Sequence, residues 1–284
     1  FYQLVRDGKW TVNKQLEIIT GLYSDLTGDG KTMDDTYGLL IDDCSTLDAF
    51  YSAFDIALLK RTDDGGLAEN SSKEKIYDAV TKMYSMMYEN RDVYLFRQIP
   101  LDEQGIDSDD AKSEAFANNQ ALFSVMTLGD CSREELRNMD GEYGILPMPK
   151  WDEYQEDYYT FVADGFEVYA LPKTIQNVDA VSATLEALAI ESYKYVAPAY
   201  YNKVLNGRYM SDPDSSEMLD KITTNVSLSP EWVFAFAFKK LAQDSFRYLL
   251  RDGKSSFQSW WRGNSKKYLN EVKFVLSNYQ KLEN

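Results

Sequence analysis

Two short apolar runs, at residues 37–41 (Tyr-Gly-Leu-Leu-Ile) and 121–126 (Ala-Leu-Phe-Ser-Val-Met), constrain the fold of this chain most strongly. Short runs that are rich in aliphatic and aromatic residues are typical of β-strands. The run at 121–126 is almost entirely apolar, which predicts a strand buried on both faces. Amphipathic helical patterns flank both runs. One of them is the stripe formed by Ile76, Val80 and Met83. Strands that alternate with helices predict an α/β protein.

The rest of the chain extends this alternation and then turns helical. Thr11 is a good N-cap for a helix that begins at Val12. Residues 144–149 are another extended segment, because a residue before proline avoids the helical region, and residues 166–172 form a third. Helical patterns cover residues 46–59, 71–89, 111–119, 178–195, 198–206, 213–224, 230–250 and 264–282. We therefore expect an α/β fold with a helical C-terminal third.

Length and charge limit the classes of function. The 284 residues suffice for one large domain or two of ordinary size, with a substantial core. Acidic residues outnumber basic ones 46 to 30, and the net charge is −16. This balance argues against a nucleic-acid partner, because a surface that neutralises phosphates must be basic. No apolar run approaches the roughly 18 residues that a membrane span needs.

The chain contains no histidine, which lowers the expectation of catalysis. Its absence removes the commonest general base, the Ser-His and Cys-His nucleophile pairs and the His-containing zinc sites. A pair of carboxylates, as in glycosidases, would still allow an enzyme. Aromatic residues are abundant, with 21 Tyr and 5 Trp, and they suit a protein that grips a ligand, although most of them belong to a core.

The two cysteines, Cys44 and Cys131, fit more than one environment. Without a CxxC motif and without histidine, they argue against zinc. A single disulfide in an exported protein and two buried thiols are both open at this point. Each cysteine closely follows a predicted strand, so a disulfide between them would brace that end of the sheet. The first residue is Phe1, and we expect the chain to begin after processing or part-way through a longer protein.

Residues 25–38, which read DLTGDGKTMDDTYG, begin like an EF-hand calcium loop. Such a loop supplies oxygens from positions 1, 3, 5, 7 and 12. Here Thr36 stands where the closing acid belongs, although Asp34 or Asp35 could swing in. The alternative is an acidic turn in which Gly28 and Gly30 supply positive φ angles. The candidate ligands of a structural calcium ion are Asp25, Thr27, Asp29, the carbonyl of Lys31, and Asp35.

Several stretches, read in order, carry a resemblance to one family. They are the Lys-Trp-Thr at 9–11 with the acidic loop and the Tyr-Gly-Leu at 37–39, the step from helix to strand at 115–123, the EYGILPMPK at 142–150, and the segments 186–201 and 212–220. Together they resemble the extracellular solute-binding proteins of bacterial ABC importers, the class that includes maltose-binding protein. The resemblance covers essentially the whole chain, and no single motif decides it.

The resemblance implies a fold, a partner and a location. The expected fold is a periplasmic-binding-protein-like (type II) lobe, with a mixed sheet flanked by helices. Residues 1–145 and 195–284 would build the second lobe, and residues 146–194 would be the crossover associated with a first lobe that is mostly missing, or supplied as a separate chain. The implied protein is an extracellular lipoprotein and a monomer. It would capture a carbohydrate by closure of two lobes, deliver it to a membrane ABC permease, and require no cofactor.

Candidate ligand-binding residues come from the resemblance and from position. The resemblance places residues 255–262 near the cleft, so Trp260 or Trp261 would stack on a sugar while the other packs in the core. Asp43 and Asp130 lie just beyond predicted strands, where α/β proteins bind ligands. The remaining candidates are Tyr51 and Asp164. A core position is the alternative for Tyr51. Asp164 lies before the strand that, by the resemblance, is near the hinge, where a residue can be small for mechanical reasons alone.

Two other classes of function remain open. A glycoside hydrolase would need two opposed carboxylates, and the sequence spacing forces no such pair together. A carbohydrate-binding or adhesion domain without a transport role would also suit a tyrosine-rich chain. Within the binding class, peptides, phosphonate-like compounds and polyamines are alternative ligands.

Overall fold

The strands that the structure describes form two separate sheets. This computed structural model describes residues 1–97, 108–162, 169–200, 213–227 and 229–281. The strands are β1 (Tyr37–Asp42), β2 (Leu59–Arg61), β3 (Leu67–Glu69), β4 (Val93–Phe96) and β5 (Ala121–Ser124). One sheet is parallel, with the order β4-β1-β5, and the other is the antiparallel pair of β2 and β3. The α/β class is therefore confirmed, but the parallel and antiparallel strands do not share one mixed sheet.

Helices surround the parallel sheet and dominate the second half of the chain. A 3₁₀ turn at Leu128–Ser132 follows β5, and a π-helical turn at Ser192–Val196 follows α7. The α-helices are α1 (Tyr2–Arg6), α2 (Val12–Ile19), α3 (Ser45–Ala53), α4 (Glu74–Tyr88), α5 (Ser108–Ala117), α6 (Glu134–Arg137), α7 (Val178–Glu191), α8 (Pro213–Thr224), α9 (Pro230–Val233), α10 (Leu241–Ser245), α11 (Arg247–Arg251) and α12 (Phe257–Gln280).

Strand β1 is the centre of the core, and all six of its residues are buried. Leu39 and Ile41 belong to the largest apolar cluster, which also takes in side chains of α3, α4 and α10–α12. Leu40 faces the other way and packs in a second cluster with Ala111 and Ala115 of α5. Helices therefore cover both faces of the sheet, which is what a central parallel strand requires.

Several local predictions are confirmed. Thr11 caps α2 by accepting a hydrogen bond from the N–H of Lys14. The strand expected at 37–41, the long helix within 71–89 and the helix at 213–224 appear as β1, α4 and α8. The run at 121–126 forms β5, but the expectation that it is buried on both faces is wrong, because β5 is an edge strand and Leu122 is 40% exposed.

Other boundaries differ from the prediction for identifiable reasons. The helix expected at 46–59 ends at Ala53, and Asp55 then takes a positive φ of 52°. The helix expected at 230–250 is broken into α9, α10 and α11. Lys239 and Lys240 adopt positive φ just before α10, and the non-helical backbone of Phe246 separates α10 from α11. The segment 144–149 forms no ladder; only Lys150, just after it, makes an isolated bridge, to Thr11. Residues 166–168 of the strand expected at 166–172 lie outside the described residues, and residues 169–172 form no strand.

Residues 146–194, which were predicted as the crossover, are packed against the rest of the fold near their start and exposed near their end. Near its start, the indole N–H of Trp10 donates to the carbonyl of Pro147 at 2.9 Å, and Tyr158 is buried against Trp10. Near its end, α7 is rich in Ala, Val, Leu and Ile, yet none of its residues is buried. An apolar helix gains most of its stability from packing, so α7 presents an uncovered apolar surface.

Among the described helices, none has both the length and the hydropathy of a membrane-spanning segment.

Candidate functional site

The carboxyl edge of the parallel sheet brings several charged side chains together. Strands β1, β4 and β5 run parallel, so their carboxyl ends meet at the same edge. In open α/β sheets, ligands bind outside this edge, where the strand order reverses. The connection from β4 to β5 crosses β1, which places the reversal at the end of β1. Asp42 and Asp43 lie at this point.

Asp42 forms a buried ion pair with Lys112 of α5. The ammonium nitrogen of Lys112 lies 2.5 Å from Oδ2 of Asp42, and both side chains are only 2% exposed. The same carboxylate accepts hydrogen bonds from the hydroxyl of Thr46, at 2.6 Å, and from the backbone N–H of Cys44, at 2.8 Å. Burial raises the pKa of Asp42, but the charge of Lys112 and the bonds from Lys112 and Thr46 outweigh it and lower the pKa to about 2.

Two arginines of α11, one helical turn apart, hold the acids that follow β1. Nε of Arg247 donates to Asp48 of α3 at 2.8 Å, and its Nη2 donates to the second carboxylate oxygen in a bidentate pair. Nε and Nη2 of Arg251 donate to the carbonyl of Asp43 at 3.3 and 3.2 Å, and Nη2 lies 3.4 Å from its carboxylate. The planar guanidinium fork suits such multiple bonds. These bonds join α11 to the carboxyl end of β1.

The ring of Tyr248 lies beside both guanidinium groups. Its centroid is 5.7 Å from Cζ of Arg247 and 5.5 Å from Cζ of Arg251, within the range of a cation–π interaction. Tyr248 is neither fully buried nor fully exposed. Cys44 is half-buried too, and burial raises the pKa of its thiol. Asp43, Arg247, Tyr248 and Arg251 are the residues that we call the edge site.

Asp130 lies near the carboxyl end of β5, as predicted, and is mostly buried. Its carboxylate closes a capping box with Thr127 and accepts from Nε of Arg133 at 2.6 Å. Arg133 also pairs with Asp110 of α5. Helix α5 therefore carries Asp110 toward the end of β5 and Lys112 toward the end of β1. Asp130 is engaged within the fold and contacts no member of the edge site through a described hydrogen bond.

Tyr51 lies in the core rather than at the edge. It has no exposed surface, its hydroxyl donates to Glu231 at 2.8 Å, and its ring packs edge-on against Trp232 and Phe246. Glu231 also accepts from the N–H of Leu58, and burial raises the pKa of its carboxyl group. This arrangement corresponds to the core position left open for Tyr51, so the residue gives no support to a ligand-binding role.

Trp260 and Trp261 belong to a separate aromatic group at the start of α12. Trp261 is buried, stacks on Phe257 and lies under the ammonium group of Lys73. Trp260 is half-buried and stacks on Tyr268 with ring centroids 5.5 Å apart. The ring contacts in the described part of the chain do not link either tryptophan to the edge site. Asp164 lies outside the described residues.

The acidic loop is organised by hydrogen bonds among its own groups. Asp25 accepts from the N–H groups of Gly28, at 2.5 Å, and Gly30, at 3.1 Å. Asp35 is fully buried and accepts from the N–H groups of Leu26 and Thr32, both at 2.9 Å, and the bond from Thr32 contributes most to lowering its pKa.

The other predicted calcium ligands do not complete a cage. The hydroxyl of Thr27 donates to Asp29, and the side chain of Lys31 donates to the carbonyl of Val93 at 2.5 Å. Within the described ranges, no group of three or more His, Cys, Asp or Glu side chains could hold a metal ion. The geometry therefore fits the acidic turn better than a calcium cage, and calcium binding stays a prediction.

The two cysteines are free thiols in the structure. A Cys44–Cys131 disulfide is therefore not formed, and it does not brace the sheet. Cys131 is buried beside Leu219 of α8, while ion pairs hold the residues around Cys44. The bracing that a disulfide would have given comes from charge pairs instead.

Most of the edge site was missed by sequence reasoning. Only Asp43 was a candidate, whereas Arg247, Tyr248 and Arg251 were not. The spacing of Arg247 and Arg251, four residues apart on one helix face, was an available signal. Their partners lie about 200 positions away in sequence, so local patterns could not reveal the pairing.

A comparison of the chain with protein family models, with curated proteins and with solved structures gives no match.

The buried pair predicts strong coupling between Asp42 and Lys112. Asp42→Asn or Lys112→Met alone leaves one buried charge without its partner, which costs about 3–5 kcal/mol. The double variant removes both charges and should lose far less stability than the two single variants together. Urea unfolding of the four proteins measures the coupling. Additive single effects would contradict the pair.

The pH dependence gives a second readout of the same pair. The folded pKa of Asp42, about 2, lies below the unfolded value of about 3.9. The ionised carboxylate of Asp42 therefore contributes fully to the free energy of unfolding above the unfolded pKa. This contribution, on the order of 2–3 kcal/mol, is lost as the pH falls toward 2. The double variant should lack this part of the acid sensitivity.

The hydrogen bonds of the acidic loop predict that the side chain of Asp35 stabilises the fold and that the side chain of its neighbour Asp34 does not. Asp35→Ala removes the acceptor of two backbone N–H groups and should lower the melting temperature, whereas the exposed Asp34→Ala serves as a matched control and should not. Equal melting temperatures for the two variants would show that Asp35 does not organise the loop. Calcium titrations of wild type and Asp25→Ala, followed by melting temperature, test the metal prediction.

Proposed function

We propose that this chain is the ligand-binding part of an extracellular solute-binding protein that captures a carbohydrate at the edge site and releases it unchanged. The observation that carries the proposal is the position of Tyr248, which is partly exposed, beside two guanidinium groups that are held by Asp43 and Asp48 at the carboxyl edge of the sheet. The family resemblance in the sequence is a second, independent support.

The chemistry of the edge site suits a sugar. An aromatic face packs on the C–H groups of a pyranose ring, and guanidinium N–H groups donate to hydroxyl oxygens in a fixed geometry. The ion pairs with Asp43 and Asp48 hold both arginines in place before a ligand arrives, which lowers the entropy that binding costs. The nearby acids balance the arginine charges, so a neutral ligand with many hydroxyl groups is favoured over a strongly charged one.

A second lobe would complete the site. Leu188 of α7 is 58% exposed, and Tyr193 of the π-helical turn that follows is 81% exposed. This uncovered apolar surface supports the proposal that the segment packs against another lobe. Closure of two lobes around a ligand shifts an equilibrium between open and closed states and needs no chemical step. A membrane ABC permease would receive the ligand from the closed form. Trp260 would then serve as a further stacking platform from the partly exposed aromatic group of α12.

The proposal is tested by calorimetric titration of the chain with neutral oligosaccharides of two to six units. At least one should bind, and Tyr248→Ala should weaken it about tenfold or more, which corresponds to about 1.4 kcal/mol. Arg251→Lys keeps the charge but loses the fork, so it should also weaken binding. Tyr154→Ala is the matched control, because Tyr154 is 97% exposed on a different segment and should leave the affinity unchanged.

Three outcomes would contradict the proposal. Equal losses for Tyr248→Ala and Tyr154→Ala would place the ligand elsewhere. Release of reducing sugar during the titration would indicate a glycoside hydrolase. Retention on insoluble polysaccharide, without binding of any soluble oligosaccharide, would favour an adhesion domain.

A further inference from the structure

Charge is unevenly distributed along the chain. Residues 239–284 hold ten Lys and Arg against four Asp and Glu, a net charge of +6. Residues 1–238 hold 20 against 42, a net charge of −22, and the two parts together give the −16 of the whole chain. The net negative charge of the whole protein would repel an acidic partner. A basic segment on such a protein therefore indicates that an acidic partner binds at that segment.

Helix α12 gathers this charge on one face. Arg262, Lys266 and Lys273 of α12 and Lys281 at its C-cap are exposed. Their intervals keep them near one face of the helix, and Asn270 and Ser277 lie between them on that face. Among the residues that the structure describes, no carboxylate pairs with these four basic side chains. The opposite face of α12 carries Phe257, Trp261, Tyr268 and Val272 into the core. The helix is therefore fixed, with its basic stripe turned to solvent.

Large aromatic side chains are exposed on α12 and on the turn that packs against it. Phe274, next to Lys273, is 60% exposed, and Phe236, in the turn between α9 and α10, is 77% exposed. The ammonium group of Lys240 lies 5.8 Å from the ring of Phe236. Lys239 of the same turn pairs with Glu271 of α12 at 2.5 Å, which holds the turn against the helix. We call the basic face the set made of Phe236, Lys240, Arg262, Lys266, Lys273, Phe274 and Lys281.

We propose that the basic face binds an anionic phospholipid surface. Basic side chains are attracted to the negative headgroups, while exposed aromatic rings insert at the boundary between headgroups and acyl chains. A nucleic acid would also attract the charges, but its phosphate backbone would leave Phe236 and Phe274 in water. At physiological salt, the repulsion between the negative charges elsewhere on the protein and the membrane is screened beyond about 8 Å. The attraction between the basic face and the headgroups therefore dominates when this face is turned toward the membrane. This binding does not depend on the proposed sugar site.

The test is co-sedimentation of the whole chain with vesicles of phosphatidylcholine containing 30% phosphatidylglycerol, at about 50 mM salt. Wild type should bind these vesicles, bind pure phosphatidylcholine far less, and dissociate as salt rises. Each basic residue near the surface contributes about fivefold to the affinity. The double variant Lys266→Glu/Lys273→Glu should therefore bind at least about twentyfold more weakly, and Phe236→Ser/Phe274→Ser should bind less at every salt concentration.

The matched control is Lys9→Glu/Lys60→Glu, which changes the net charge equally with two exposed lysines outside the basic face. It should retain most of the vesicle binding. Lys266→Gln/Lys273→Gln is a milder pair that should also lose affinity, and circular dichroism checks that every variant folds. The proposal is overturned if wild type does not bind the anionic vesicles or if it binds duplex DNA but not vesicles. It is also overturned if the control loses as much vesicle affinity as the α12 variant.

Discussion

The structure depends on a charged pair buried at the end of its central strand. Asp42 ends β1, and its carboxylate joins Lys112 of α5 to the first turn of α3 through Thr46 and the N–H of Cys44. The two helices lie on opposite faces of the sheet, so this one carboxylate fixes both of them against the same strand. A buried ion pair adds little net stability, but losing either partner is costly. We infer that the pair selects this packing over alternatives.

The same edge explains how a rigid fold can present a binding surface. Arg247 and Arg251 of α11 donate hydrogen bonds to Asp48 and Asp43, so α11 is held against the carboxyl end of β1. The side chains around Tyr248 are consequently held before any ligand arrives. Helix α7 is the opposite case, since its apolar surface is uncovered. The proposed function uses both features, a prepared surface and an uncovered apolar helix.

Sequence reasoning predicted what local patterns determine. β1, α4, α8 and the Thr11 cap follow from apolar spacing and a capping residue within a few positions. β4 was missed because four residues, Val93–Phe96, carry too little periodicity, and their place beside β1 is set by packing across the chain. Lys239 and Lys240 gave no sign of the positive φ that interrupts the helix expected at 230–250. The edge site was largely invisible because its ion pairs join residues far apart in sequence.

The most direct test of the edge site is a ¹⁵N-labelled NMR titration of the chain with the oligosaccharide that binds best. We expect the largest amide shifts at residues 43–48 and 247–251, on the two segments that the ion pairs join. Smaller shifts in α12 would fit a second platform at Trp260. Shifts confined to the acidic loop, to α12 or to no segment at all, at saturating ligand, would contradict the central claim that the carboxyl edge of the parallel sheet is the binding surface.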